Sequence, residues 1–65
     1  MENLFRRFKG ELVDVKTVSG GIYSGRVVEV TNDYVCLTET SGAPGQQVFV
    51  AFSAIESMAV SVTDT

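Results

Sequence analysis

Few side chains in this sequence can do covalent chemistry. Cys36 is the one thiol, and the chain holds no histidine. A thiol becomes a nucleophile when a base or a positive field lowers its pKa. Cys36 lacks the usual histidine for that, and on a strand it reads as a small buried hydrophobe. One cysteine excludes an internal disulfide, and one thiol without histidine cannot build a structural zinc site. General acid–base work needs a carboxylate pair in a cleft. Asp14 and Glu29 are the candidates, in a chain of 65 residues that offers little concavity of its own. Gly20-Gly21 and Gly42-x-x-Gly45 are not phosphate loops, because neither opens a helix or carries Lys before Ser or Thr. Arg6, Arg7 and Lys9 form the basic cluster, read either as a solvated helix face or as a phosphate contact. No enzymatic activity, no cofactor and no metal is expected.

Composition narrows the class further. With 45% hydrophobic and 20% charged residues, the chain is neither disordered nor membrane-spanning. Its apolar runs are too short for a signal peptide or an anchor. The start Met1-Glu2-Asn3-Leu4 and the lone thiol fit a reducing cytoplasmic compartment, and no membrane partner is expected. A net charge of −3 argues against coating duplex DNA, which needs a basic surface. A chain this short buries barely enough apolar surface to offset the entropy of ordering it. With disulfide and metal excluded, oligomerisation is the remaining common remedy.

The elements that position these residues follow from periodicity. Val, Ile and Thr make up nineteen of the 65 residues and Leu only three, which favours strands over helices. The exception is the N-terminus. Leu4, Phe5, Phe8 and Leu12 recur at helical spacing, Asn3 offers a cap, and Gly10 offers a left-handed end. This predicts a helix over residues 3–9. From Glu11 the period becomes two, and five strands are predicted at residues 11–18, 22–31, 34–39, 47–52 and 57–62. Ser19-Gly20-Gly21 and Asn32-Asp33 are turns, residues 40–46 are a loop by composition, and residues 63–65 are a polar tail. Gly25 inside the second strand, followed by the adjacent Val27 and Val28, marks a bulge or sharp bend. Five short antiparallel strands, one of them bent, close best as a small barrel. The whole chain, residues 1–65, reads as one domain.

At this point the residues resemble the Sm/LSm family, including bacterial Hfq. The first family motif is similar to Val15-x-x-Val18-x-Gly20-x-x-Tyr23-x-Gly25-x-Val27-x-x-Val30, ending in Val35 and Leu37. The other family motif is similar to Val48-Phe49-Val50-Ala51-Phe52-Ser53-Ala54-Ile55. The resemblance implies an N-terminal helix followed by a strongly bent five-stranded antiparallel Sm-like barrel, with Gly25 fold-critical where the second strand doubles over. It also implies a slot for single-stranded RNA, in which one residue stacks on a base, an amide reads the base edge and a cation steadies it. Tyr34 or Phe52 fits the stacking role and Asn32 the amide role, with Asp33, Ser53, Arg6 and Arg7 beside them. The sequence departs from the family pattern where the cation belongs. Ala51, Phe52 and Ser53 replace it, and Thr31 stands where family members commonly carry Asp.

The last two strands are the most apolar part of the chain. Val48, Phe49, Val50, Ala51 and Phe52 are followed by Met58, Ala59, Val60 and Val62, with no lysine or proline to protect an edge. In the Sm-like arrangement the fourth strand of one subunit adds to the fifth strand of its neighbour. That is a head-to-tail contact that closes into a ring. The resemblance implies a homo-oligomeric ring of roughly five to seven subunits, with single-stranded RNA as its further partner. The alternative is the same ring as a protein-interaction or scaffold module without nucleic-acid binding.

Overall fold

The computed structural model describes residues 1–40 and 45–60. The chain runs through α1 (Glu2–Arg7), β1 (Leu12–Thr17), β2 (Ile22–Val30), β3 (Tyr34–Glu39), β4 (Gln47–Ala51), a single 3-10 turn (Phe52–Ala54) and β5 (Ile55–Val60). The strands form one antiparallel sheet in the order β4-β3-β2-β1-β5. The expected class, mainly β with a leading helix and a strongly bent five-stranded antiparallel sheet, is the class observed.

β2 is the hinge of the sheet. Its first half pairs with β1, from Lys16↔Ile22 to Leu12↔Arg26, and its second half with β3, from Gly25↔Glu39 to Val30↔Val35. Only Gly25 and Arg26 pair on both sides. At Gly25 the β3 backbone comes so close that a Cβ would sit 2.5 Å from the Thr38 carbonyl oxygen. No side chain fits there, which is the physical reason for glycine at this position. Two residues further on, Val27 pairs with Leu37 and Glu29 with Cys36, leaving Val28 as an extra residue in a bulge. The slip brings Val27 and Val30 both into the core although they are an odd number of positions apart.

The bend encloses a core of Val13, Val15, Val27, Val35, Leu37 and their neighbours. Phe5 of α1 covers one end of it, fully buried, with its ring stacked on Phe52 at 5.7 Å between centroids. The sheet does not close as a ladder, which corrects the barrel expectation in one respect. β4 and β5 are the two edges and do not pair with each other. The 3-10 turn carries the chain from one edge to the other and is bonded at both ends. The Phe52 N–H donates to the Asp33 carbonyl (3.0 Å), and the Val18 N–H donates to the Ala54 carbonyl (2.8 Å).

The element limits differ from the sequence-based ones for identifiable reasons. The helix starts one residue earlier than residue 3, with Met1 as its cap and no side-chain cap bond, so Asn3 does not cap it. It ends at Arg7 rather than residue 9 because the chain is already captured by β2. The Gly10 N–H donates to the Val27 carbonyl (2.8 Å), and the Val27 N–H donates to the Glu11 carbonyl (3.0 Å). Gly10 does take the left-handed conformation, at φ 89, three residues past the helix. β1 runs from residue 12 to 17 rather than 11 to 18, and β4 ends at 51 rather than 52, where the 3-10 turn begins. β2 stops at Val30 rather than residue 31 because Thr31 spends its hydrogen bonds in the following turn. β5 begins at Ile55 rather than 57, since Ile55 already pairs with Thr17. Residues 61–65, including Val62 and the expected tail, and residues 41–44 of the expected loop lie outside the described residues. Among the described residues no helix is long and apolar enough to cross a membrane.

Two outcomes test this packing. Gly25→Val destabilises the fold by about 3 kcal/mol or more, the upper end of overpacking costs, read by chemical denaturation. A change under about 0.5 kcal/mol would mean that β3 yields at no cost, against the contact described. Cys36 is buried, and burial first, then the Glu29 carboxylate, push its thiol above the ordinary value. At pH 8 the native chain therefore alkylates with iodoacetamide far more slowly than the urea-unfolded chain; equal rates by mass spectrometry would contradict the burial.

Candidate nucleic-acid interface

The turn between β2 and β3 is built by Thr31. Its hydroxyl oxygen accepts the N–H groups of Asp33 (3.1 Å) and Tyr34 (3.0 Å), and its own N–H donates to the Tyr34 carbonyl (2.9 Å). Such a hydroxyl-capped turn needs no left-handed residue, and neither Asn32 nor Asp33 has positive φ. Both side chains are exposed. The hairpin between β1 and β2 uses the same device. The Thr17 hydroxyl accepts the Gly21 N–H at 3.0 Å and meets the Ser19 hydroxyl at 3.0 Å, while Gly20 takes φ 95.

The Asp33–Phe52 backbone bond joins this turn to the 3-10 turn, so Asn32, Asp33 and Tyr34 neighbour Phe52 and Ser53. Tyr34 stands opposite Ala51 in the β3–β4 register. It is half-buried, and its ring meets Phe49 edge-on at 5.7 Å. Ser53 is exposed. Phe52 is half-buried, its ring packed against the core and faced by Phe5. Through that contact α1 joins the same end of the sheet with Arg6 and Arg7, both exposed. Arg6 is already engaged, its Nη2 and Nε lying 2.8 and 2.9 Å from Glu2 Oε2. The arrangement brings the segments that carry one aromatic, one amide and one hydroxyl to the same end of the sheet. Asp33 places a carboxylate among them, and the segment Ala51–Ser53 supplies no cation. Among the described residues no cluster suits a metal ion.

The expected interface residues divide by face. Along β4, Val48 and Val50 turn toward the subunit's own core while Phe49 and Ala51 face out. Val50 is only 5% exposed, so its side chain lies in the core of the subunit while its backbone stays on the free edge. Phe49 is 59% exposed. On β5, Met58 and Val60 pack partly on the core and Ala59 is exposed. A groove of about 240 Å³ runs between the β4 edge and Thr17, Ser19 and Tyr23 of the first hairpin. Sequence reasoning missed Thr31 and Thr17 as turn-builders and Phe5 as the partner of Phe52. A threonine directly before a polar turn was the available signal for the first two.

No protein-family model and no curated protein sequence matches the chain. Among solved structures, it superposes on the crystal structure of Hfq, described there as a pleiotropic translational regulator. The TM-score is 0.77 at 23% sequence identity, covering 91% of this chain and 95% of that one. At that identity the likeness is one of architecture, and it agrees with the helix, the bent second strand and the strand order described above. The chain has the Sm-like fold.

Proposed function

We propose that the chain assembles into a closed homomeric ring that binds single-stranded RNA at Asn32, Tyr34 and Ser53. The observation that carries this reading is the pair of free edges on one bent sheet. β4 holds no charged residue, and the one charge on β5, Glu56, is paired with Lys16 at 3.5 Å. Long unprotected edges pair with other strands. An edge that cannot meet its opposite edge within the subunit meets it on the next copy. The small outward Ala51 and Ala59 let the two backbones approach, and Phe49 is covered in the process. The contact is heterologous, so successive copies close into a ring when the rotation divides a full turn, with roughly five to seven subunits implied by the family resemblance.

Each copy then adds one Tyr34–Asn32 unit to a repeated site on one face. A base stacks on an aromatic ring regardless of its identity, while an amide offers both donor and acceptor to a base edge. A second reading, a ring that acts as a scaffold without nucleic acid, is favoured by the Asp33 carboxylate in the site and by the net charge of −3.

Assembly and ligand are tested separately. Light scattering gives a mass of roughly five to seven subunits for the wild type. Phe49→Lys, on an exposed position, lowers that mass and, because the lone subunit is marginal, also lowers the melting temperature read by circular dichroism. Val50→Lys unfolds the subunit instead, since its side chain is in the core. A folded wild-type monomer at micromolar concentration rejects the ring. Titration with U-rich and A-rich oligonucleotides at two salt concentrations shows binding that Tyr34→Ala weakens by about 1–3 kcal/mol. A ring that binds neither oligonucleotide at low salt hands the function to the scaffold reading.

A further inference from the structure

Charge is unevenly spread along this chain. Residues 1–10 carry Arg6, Arg7 and Lys9 against Glu2, a net +2, in a chain of net −3; the other residues therefore carry −5. Arg26 adds a cation next to this segment, its Nη1 donating to the Gly10 carbonyl at 2.6 Å. Arg6 is neutralised locally by Glu2, whereas Arg7 and Lys9 are exposed and make no ion pair among the described residues.

The helix that carries Arg7 and leads into Lys9 also shows apolar surface to solvent. Phe5 is spent in the core, but Met1 is 51% and Leu4 41% exposed, and Phe8 is half-buried. The spacing 1, 4, 8 sets these three on one stripe. Arg7 stands three residues beyond Leu4, on the adjoining surface. The helix is therefore apolar toward two sides, and one of those sides has no partner within the subunit.

We propose that this outer face of α1 is a peripheral docking surface for an anionic lipid bilayer. Met1 and Leu4 enter the headgroup boundary, and Arg7 and Lys9 lie among the lipid phosphates. A nucleic-acid strand would satisfy the cations and leave the apolar stripe in water. The surface of an anionic bilayer takes up both at the same depth. The acidic remainder of the chain is repelled by such a surface, so the subunit approaches helix first. A single helix of six residues gives weak attachment. For its strength the proposal rests on the ring reading, because cyclic symmetry repeats α1 at one height and makes the contacts multivalent. The chemistry of the face belongs to each subunit.

The test is flotation of the full chain with vesicles of phosphatidylcholine alone and of phosphatidylcholine with phosphatidylglycerol. The wild type floats with the anionic vesicles and stays behind with the neutral ones. Arg7→Glu combined with Lys9→Glu lowers the bound fraction about tenfold or more, since each cation near an anionic surface contributes about fivefold. Leu4→Ser lowers it severalfold and leaves the salt dependence unchanged. All three substitutions are at exposed positions, and light scattering with circular dichroism shows whether ring and fold are kept. Tyr34→Ala, which reports on the RNA site, floats like the wild type. A wild-type ring that does not float with anionic vesicles at low salt overturns the proposal. So does a Leu4→Ser variant that floats as well as the wild type while a single-stranded oligonucleotide strips both from the vesicles. That second outcome would make the face a nucleic-acid phosphate contact.

Discussion

The contact between Gly25 and the Thr38 carbonyl governs the rest of the structure. A β-sheet of five short strands left to its ordinary twist would stay open and leave one face wet. Here β2 folds over itself because one of its residues has no side chain where β3 passes closest. The bulge at Val28 then resets the side-chain phase, so Val27 before it and Val30 after it both turn inward. Curvature from a glycine kink and a bulge is a general device of small barrels. In this chain both devices fall within four residues of each other.

Having bent, the sheet must be held, and the holding is done by turns rather than by a closing ladder. Thr17 and Thr31 end β1 and follow β2, and each hydroxyl accepts a backbone N–H that would otherwise be left without a partner. The 3-10 turn ties one of these turns to the other through bonds at Phe52 and Ala54. Because three residues do the work of closure, the outer edges of β4 and β5 stay free of any partner strand within the subunit. The same geometry that leaves the edges free brings Tyr34 beside the 3-10 turn. The proposed assembly and the candidate site therefore both trace back to one closure.

Much of this was legible in the sequence where the cause was local. Gly25 with Val27-Val28 announced the bend, the change of period at Glu11 announced the sheet, and Ser19-Gly20-Gly21 announced the first hairpin. What was not legible depended on distant partners. The helix stops at Arg7 because Gly10 and Glu11 are claimed by Val27, a contact that periodicity in residues 3–9 cannot show. That Phe52 stacks on Phe5 is a contact between the two ends of the chain, which no local pattern around either residue reveals. Val50 lies in an unbroken apolar run, so its inward side became clear only from the pleat of β4. Leu4 belonged by spacing to the buried face of the helix. The structure spends Phe5 there and leaves Leu4 outside.

The poverty of the single site is itself informative. One subunit offers a half-buried tyrosine, an asparagine, a serine and an unhelpful carboxylate, in a chain whose net charge opposes polyanions. No single copy of such a site holds a strand firmly, because stacking one base is a contact of a few kcal/mol at most and association itself costs more than that. Repetition changes the balance. In the proposed ring, once the first unit is occupied the next lies within the reach of the same strand, and its occupation becomes an intramolecular step at high effective concentration. The free edges thus do more than stabilise a marginal subunit. In the ring proposed above, they would be the means by which weak, sequence-tolerant contacts on an acidic protein add up to a usable surface.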